Sequence, residues 1–189
     1  TRVIVHESVA DQVIEGLVEF ARAAVIGDPF DAGTTQGTIV NRKQLDRILG
    51  YIEKGKSEGA DLLTGGARVG EKGFFVQPTV FRGTNDLTIA REEIFGPVAT
   101  VITFKTTEEA VRLANSTDYG LVAYVFGSDL ARALRVGEAI EAGMVGINRG
   151  VVSDPAAPFG GVKQSGIGRE GGFEGILEFT ETKYLAVSW

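Results

Sequence analysis

Apolar residues along this chain alternate between helical and strand spacing. Val13, Ile14, Leu17, Phe20, Ala21, Ala24 and Val25 recur every three or four residues, behind a Ser8-Val9-Ala10-Asp11 stretch of capping-box type, and predict an N-terminal helix with one buried stripe. Residues 41–58 predict a second helix with Leu45, Ile48, Leu49 and Ile52 on one face and Gln44 and Arg47 on the other. Strands are predicted at residues 1–5, 61–64, 73–81, 98–104, 121–126 and 144–148, the run Val98-Ala99-Thr100-Val101-Ile102 being apolar enough for a central strand. Further helices are expected from Thr106 and over residues 130–141, the latter capped by Ser128-Asp129. Strands that alternate with helices imply right-handed crossovers. The expected fold is therefore α/β and doubly wound in a single domain, a mainly parallel sheet with helices on both faces.

Two segments stand outside this alternation. Residues 150–172 are Gly-rich and aperiodic, as long functional loops often are. The tail from Glu178 to Trp189 carries Phe179, Tyr184, Ala186, Val187 and Trp189 and reads as an apolar strand that needs a cover, for which a neighbouring subunit's sheet is one solution. The pattern thus divides the chain into residues 1–177 and an apolar tail strand, 178–189, that another copy could cover. Ligands of doubly wound sheets bind beyond the carboxyl ends of strands, and residues 148–159 occupy such an end.

Composition narrows the chemistry. The 189 residues are 43% hydrophobic and 23% charged, as in a soluble globular protein. A net charge of −6 argues against nucleic acid or an anionic membrane as partner, and no apolar run has the length of a membrane span. A cytoplasmic location is the expectation, since no signal peptide is read at the start. Cysteine is absent, which removes disulfides and any thiol nucleophile from these residues. His6 is the one histidine, and without histidine pairs a zinc site is not expected. Gly166-Ile167-Gly168-Arg169-Glu170-Gly171 matches a dinucleotide fingerprint in letters only, because no βαβ unit fits in the residues that follow.

Glu92-Glu93-Ile94-Phe95-Gly96-Pro97 is the stretch richest in chemistry. Pro97 fixes a turn into the strand behind it, and it biases Gly96 away from the α region. A carboxylate that can accept two hydroxyl hydrogen bonds then stands two residues from an aromatic that can pack on a heteroaromatic ring. With it stand Gln77-Pro78-Thr79-Val80, Asn115-Ser116-Thr117-Asp118-Tyr119-Gly120-Leu121 and Pro158-Phe159-Gly160-Gly161-Val162-Lys163-Gln164-Ser165-Gly166. In that order and spacing the chain resembles, from Thr1 to Trp189, the C-terminal part of the aldehyde dehydrogenase superfamily. The loop Asn148-Arg149-Gly150-Val151-Val152-Ser153 before Pro158 is most similar to the succinate-semialdehyde dehydrogenase group.

The resemblance implies a cysteine thiolate that attacks the aldehyde, hydride transfer to NAD or NADP, and hydrolysis of a thioester by water that a glutamate activates. It places Glu93 on the nicotinamide ribose, Phe95 beside the nicotinamide, and Gln44 and Arg47 along the cofactor, arginine standing where lysine is more usual. It places Ser153 on the substrate's remote carboxylate and Phe159 on the substrate tunnel. The family's cysteine, its general-base glutamate and its cofactor domain would lie upstream of Thr1. No catalytic residue is therefore expected in this chain, which is expected to be a portion of the catalytic domain, inactive alone. The parent is expected to be a dimer or tetramer that takes a small aldehyde. Arg149 departs from the threonine or glutamate of the group. The alternatives are another ω-carboxylated or medium-chain aldehyde as substrate, or a non-catalytic assembly module.

Overall fold

The computed structural model describes residues 1–189 and divides into two compact units, Thr1–Ala110 and Val111–Trp189. In the first unit, β1 (Arg2–His6), β2 (Asp61–Thr64), β5 (Thr79–Arg82) and β6 (Val98–Phe104) form one sheet in the order β1-β6-β5-β2. β6 runs parallel to β1, with Ile4 opposite Ile102, and parallel to β5, with Phe81 opposite Thr100. β2 closes the edge antiparallel to β5, with an irregularity between Leu62 and Thr64. β3 (Arg68–Val69) and β4 (Phe75–Val76) make a separate short hairpin. The strand expected over residues 73–81 is thus two pieces, β4 and β5, with Gln77 and Pro78 between them. A proline removes a ladder donor and fixes its own φ, so it interrupts a strand here.

Helices cover both faces of this sheet. α1 (Ala10–Arg22) packs Ala10 and Ala21 with Val5, Val80 and Val101. α2 (Arg42–Ser57) packs Leu45, Ile48 and Ile52 with Phe81, Ile89, Ile94 and Val98 on the other side. The neighbours Val80 and Phe81 point to opposite faces, as the two-residue strand period requires. Asn41 caps α2, its side chain accepting from the Gln44 N–H at 2.9 Å. The capping box expected at Ser8 is absent. A 3-10 turn, Glu7–Val9, precedes α1, and the His6 ring accepts from the Ser8 N–H. Phe20 and Val25, expected in the buried stripe, are exposed.

α3 (Thr88–Arg91) leads to the Glu92–Pro97 turn, and its first residue is tied to the end of α2. The Glu58 carboxylate accepts from the Thr88 N–H at 2.7 Å and from the Thr88 hydroxyl at 2.6 Å. These bonds, the hydroxyl's first, hold the Glu58 carboxyl below its ordinary pKa.

The second unit is described by itself. It begins within α4 (Thr107–Asn115) and contains β7 (Tyr119–Gly120), β8 (Val122–Val125), α5 (Leu130–Ala139), β9 (Met144–Ile147), β10 (Val162–Lys163) and α6 (Glu174–Leu177). β8 and β9 are parallel and joined through α5, a βαβ unit. A Cβ on Gly137 would stand 2.9 Å from Ile147 Cδ1, so α5 lies close on β9. The strand expected over residues 121–126 is an uninterrupted apolar run, as a buried strand would be, yet Val122, Tyr124 and Phe126 are exposed. In place of the expected single sheet stand the four-stranded mixed sheet, the parallel pair β8–β9 and the short antiparallel pairs β3–β4 and β7–β10, within the expected α/β class. Residues 179–189 form neither helix nor strand in this chain, and Phe179, Tyr184, Leu185, Val187 and Trp189 are exposed. No helix is long and apolar enough to cross a membrane.

Glu58 is a carboxylate with a depressed folded-state pKa, so its stabilisation is present above the unfolded value and lost as acid titrates it. Thr88→Val should therefore lower the urea midpoint at neutral pH, and its deficit should shrink from about pH 5 downward. A deficit equal at pH 7 and pH 3 would place the effect elsewhere than the Glu58 charge.

Candidate functional site

The turn expected to carry the chemistry is fixed at its entry, centre and exit. At the entry, the Glu92 N–H donates to Thr88 O at 2.9 Å and closes α3. At the centre, Ile94 is buried with Ile48 and Val98. A Cβ on Gly96 would stand 2.6 Å from Ile48, so the backbone there lies directly on α2 and leaves no room for a side chain. At the exit, the Thr79 N–H donates to Pro97 O at 2.8 Å, and the Thr79 hydroxyl donates to Gln77 O and accepts from the Gly66 N–H. The Gln77-Pro78-Thr79-Val80 motif therefore seats the start of β6.

Between buried Ile94 and packed Gly96, Phe95 adopts a left-handed backbone with φ 56°. For a non-glycine residue this costs on the order of 1–2 kcal/mol and persists where the surroundings over-determine it. The result is an aromatic ring turned out of the core, 78% exposed. The Glu93 side chain is exposed beside it.

α2 supplies the constraint. Gln44 Nε2 donates to Ile94 O and to Phe95 O, both at 2.9 Å. Arg47 Nη2 donates to Glu93 O at 2.6 Å and to the Tyr51 hydroxyl at 3.2 Å. The Tyr51 hydroxyl donates in turn to Glu92 Oε2 at 2.6 Å. The Arg47 guanidinium lies 5.1 Å from the Tyr51 ring centroid. Gln44, Arg47 and Tyr51 follow one another at three and four residues, so they share a face of the helix. Four residues expected near the cofactor, Gln44, Arg47, Glu93 and Phe95, are brought together here. The two helical ones meet the turn's carbonyls. Sequence reasoning missed Tyr51, although its spacing from Gln44 and Arg47 placed it on the same face.

The two residues expected near substrate lie in the second unit, six positions apart on its long irregular segment. Ser153 is exposed. Phe159 is 37% exposed, and its backbone exchanges two hydrogen bonds with that of Glu170, each 2.7 Å. This pairing turns the chain back after Pro158-Phe159-Gly160-Gly161, so the glycines of residues 166–171 serve a return turn and not a phosphate loop. Lys163 anchors the same segment: its ammonium donates to Asn115 O at 2.9 Å and Thr117 O at 3.2 Å and pairs with Glu141 at 2.6 Å. The Asn115 amide spans the end of α5, donating to Ala139 O and accepting from the Glu141 N–H. Arg149, the residue that departs from the expected pattern, donates to Val151 O at 2.6 Å.

The family profile described as the aldehyde dehydrogenase family matches residues 1–185. Aldehyde dehydrogenase 1A1 of Mesocricetus auratus is 47% identical over 188 residues, an overlap of 99% of this chain and 38% of that protein. Betaine aldehyde dehydrogenase of Brucella anthropi is 47% identical over 192 residues, covering 99% and 39%. Retinaldehyde dehydrogenase 3 of Rattus norvegicus is 47% identical over 188 residues, covering 99% and 37%. Among solved structures, the NAD+ complex of aldehyde dehydrogenase from Bacillus cereus superposes with a TM-score of 0.93 at 45% identity, over 95% of this chain and 37% of that one. The Mycobacterium tuberculosis aldehyde dehydrogenase complexed with NAD+ superposes at 0.92 and 42%, over 96% and 38%. The chain thus spans 38% of the length of the first of these curated relatives.

The strain at Phe95 is testable. Because its ring is exposed, Phe95→Gly should unfold at a urea concentration equal to or above that of the unmodified protein. Phe95→Val, with a β-branched residue in the left-handed region, should cost a further ~1–2 kcal/mol. Equal midpoints for the two variants would show that the left-handed backbone is absent in solution.

Proposed function

This chain belongs to the aldehyde dehydrogenase family, and we propose that it acts in the oxidation of an aldehyde to a carboxylic acid with NAD(P)+, together with residues outside these 189. The observation that carries this reading is the exposed Glu93–Phe95 pair on a turn clamped to α2. The donor set fits a ribosyl-nicotinamide: the Glu93 carboxylate can accept two ribose hydroxyls, and the Phe95 ring offers a face to a heteroaromatic. NAD+ in the Bacillus cereus and Mycobacterium tuberculosis relatives supports the same cofactor class here. When bound, the nicotinamide supplies the hydride acceptor. Glu93 would orient its ribose, Phe95 would pack at its ring, and Gln44 and Arg47 would lie beside them. The chain holds no cysteine, so the thiol nucleophile of the family is outside it, and the 189 residues alone should show no dehydrogenase turnover.

We assign the substrate side to Ser153 and Phe159. Phe159 offers an apolar wall that keeps water from a reacting acyl group. The Ser153 hydroxyl can donate to a carboxylate, which favours an ω-carboxylated aldehyde, succinate semialdehyde first. A second reading rests on the 47% identity to proteins named for betaine aldehyde and retinaldehyde, neither of which carries a carboxylate. In the enzyme containing this chain, the first reading predicts a higher kcat/KM for succinate semialdehyde than for acetaldehyde. It also predicts that Ser153→Ala raises KM for the former alone, by the equivalent of about 1–3 kcal/mol. Equal kcat/KM for the two aldehydes, or a Ser153→Ala variant indifferent to the carboxylate, would favour the second.

The exposed apolar tail, residues 178–189, is assigned to a strand added to the sheet of another copy in a dimer or tetramer. Its removal should lower the mass of the assembly in sedimentation. An unchanged assembly would sink that assignment.

A further inference from the structure

Resting on the cofactor reading above, we propose that Tyr51 is a positioning residue for cofactor binding, the outer member of a clasp in which Gln44, Arg47 and Tyr51 hold the Glu93–Phe95 turn. Each member takes a different point of the turn. Gln44 takes the carbonyls on both sides of the left-handed residue, Ile94 O and Phe95 O. Arg47 takes Glu93 O, the carbonyl of the residue assigned to the ribose. Tyr51 takes the turn at Glu92, the residue before Glu93, and meets Arg47 as well. It acts through these two: its hydroxyl accepts from Arg47 and donates to Glu92, and its ring lies against the Arg47 guanidinium. Arg47 is thereby held at a carbonyl it could otherwise leave, because a long side chain at a surface keeps one rotamer only when several contacts fix it. Glu92, the residue before Glu93, is fixed at the same time.

The geometry explains why two adjacent carboxylates occur here. Glu93 faces solvent, where a ribose diol could be bound, while Glu92 is engaged by Tyr51. The pair divides into one ligand-facing and one scaffold-facing acid. A strained turn makes the division useful, since the left-handed conformation at Phe95 relaxes if its carbonyl contacts are loosened. Relaxation would move Glu93 and Phe95 together, and both belong to the same proposed subsite.

The test uses the NAD+-dependent enzyme that contains this chain. Tyr51→Phe removes only the hydroxyl, and Glu92→Ala removes its acceptor. Each should raise KM for NAD+ by about 3- to 10-fold, with KM for the aldehyde unchanged within about twofold, and the double variant should be no worse than either single one. Glu93→Gln serves as the reference. If Glu93→Gln raises KM for NAD+ while Tyr51→Phe leaves it within twofold, the clasp is overturned and the cofactor reading stands. Fully multiplicative effects of Tyr51→Phe and Glu92→Ala would also overturn it, since the two would then act separately. If Glu93→Gln itself leaves NAD+ binding unchanged, the cofactor reading fails and the clasp's function with it.

Discussion

The first unit depends on one contact: the Glu92–Pro97 turn laid against α2. Ile94 enters the core beside Ile48, Gly96 touches Ile48 without a side chain, and Phe95 between them is forced into a left-handed backbone. The hydrophobic anchor and the hydrogen bonds from Gln44 and Arg47 act on adjacent residues, so neither can relax alone. That is how an apolar ring comes to be held in solvent. The same turn feeds β6, the central strand, through Pro97, and receives α3, which Glu58 ties to α2. Core packing and the exposure of the Phe95 ring are consequences of the same few atoms.

Where a segment had one clear period, its place could be read from the chain. The run of apolar residues at 98–104 became β6 with both neighbours parallel, and the helix over 41–58 became α2 with Asn41 as its cap. Misreadings had local causes. Phe20 continued a helical stripe, but α1 packs on the sheet through Ala10 and Ala21, and Phe20 is left outside. Ser8 resembled a cap residue, yet His6 supplied the acceptor that the first turn needed. Pro78 split a strand whose flanks were both apolar. The continuous apolar run at 121–126 could not reveal that Val122 and Tyr124 would be exposed in this unit, because burial depends on what packs over a sheet and not on the strand's own pattern.

The site was legible to a different degree. Glu93 and Phe95 could be singled out as a carboxylate and an aromatic on a turn, since Gly-Pro punctuation marks the turn, while the ligand assigned to them came only with the resemblance. Periodicity placed Gln44 and Arg47 on the solvated face of α2, and nothing in it showed that the turn returns across that face from residues 92–96. This is a non-local contact, and local spacing carries no information about it. Tyr51 was missed for the same reason, although the helical spacing of Gln44, Arg47 and Tyr51 was available. Ser153 and Phe159 lie on a segment without periodicity, so only resemblance could point to them. The relatives named for betaine aldehyde and retinaldehyde show that this resemblance extends across the family and does not by itself select the succinate-semialdehyde group.

The most direct test of the account is a crystal structure of the enzyme containing this chain with NAD+ bound. The account predicts both Glu93 carboxylate oxygens at about 2.6–3.2 Å from the hydroxyls of the nicotinamide ribose. It also predicts the Phe95 ring against the nicotinamide, and Gln44 still donating to the carbonyls of Ile94 and Phe95. A ribose held by other residues, with Glu93 directed into solvent or the 92–97 turn detached from α2, would contradict it.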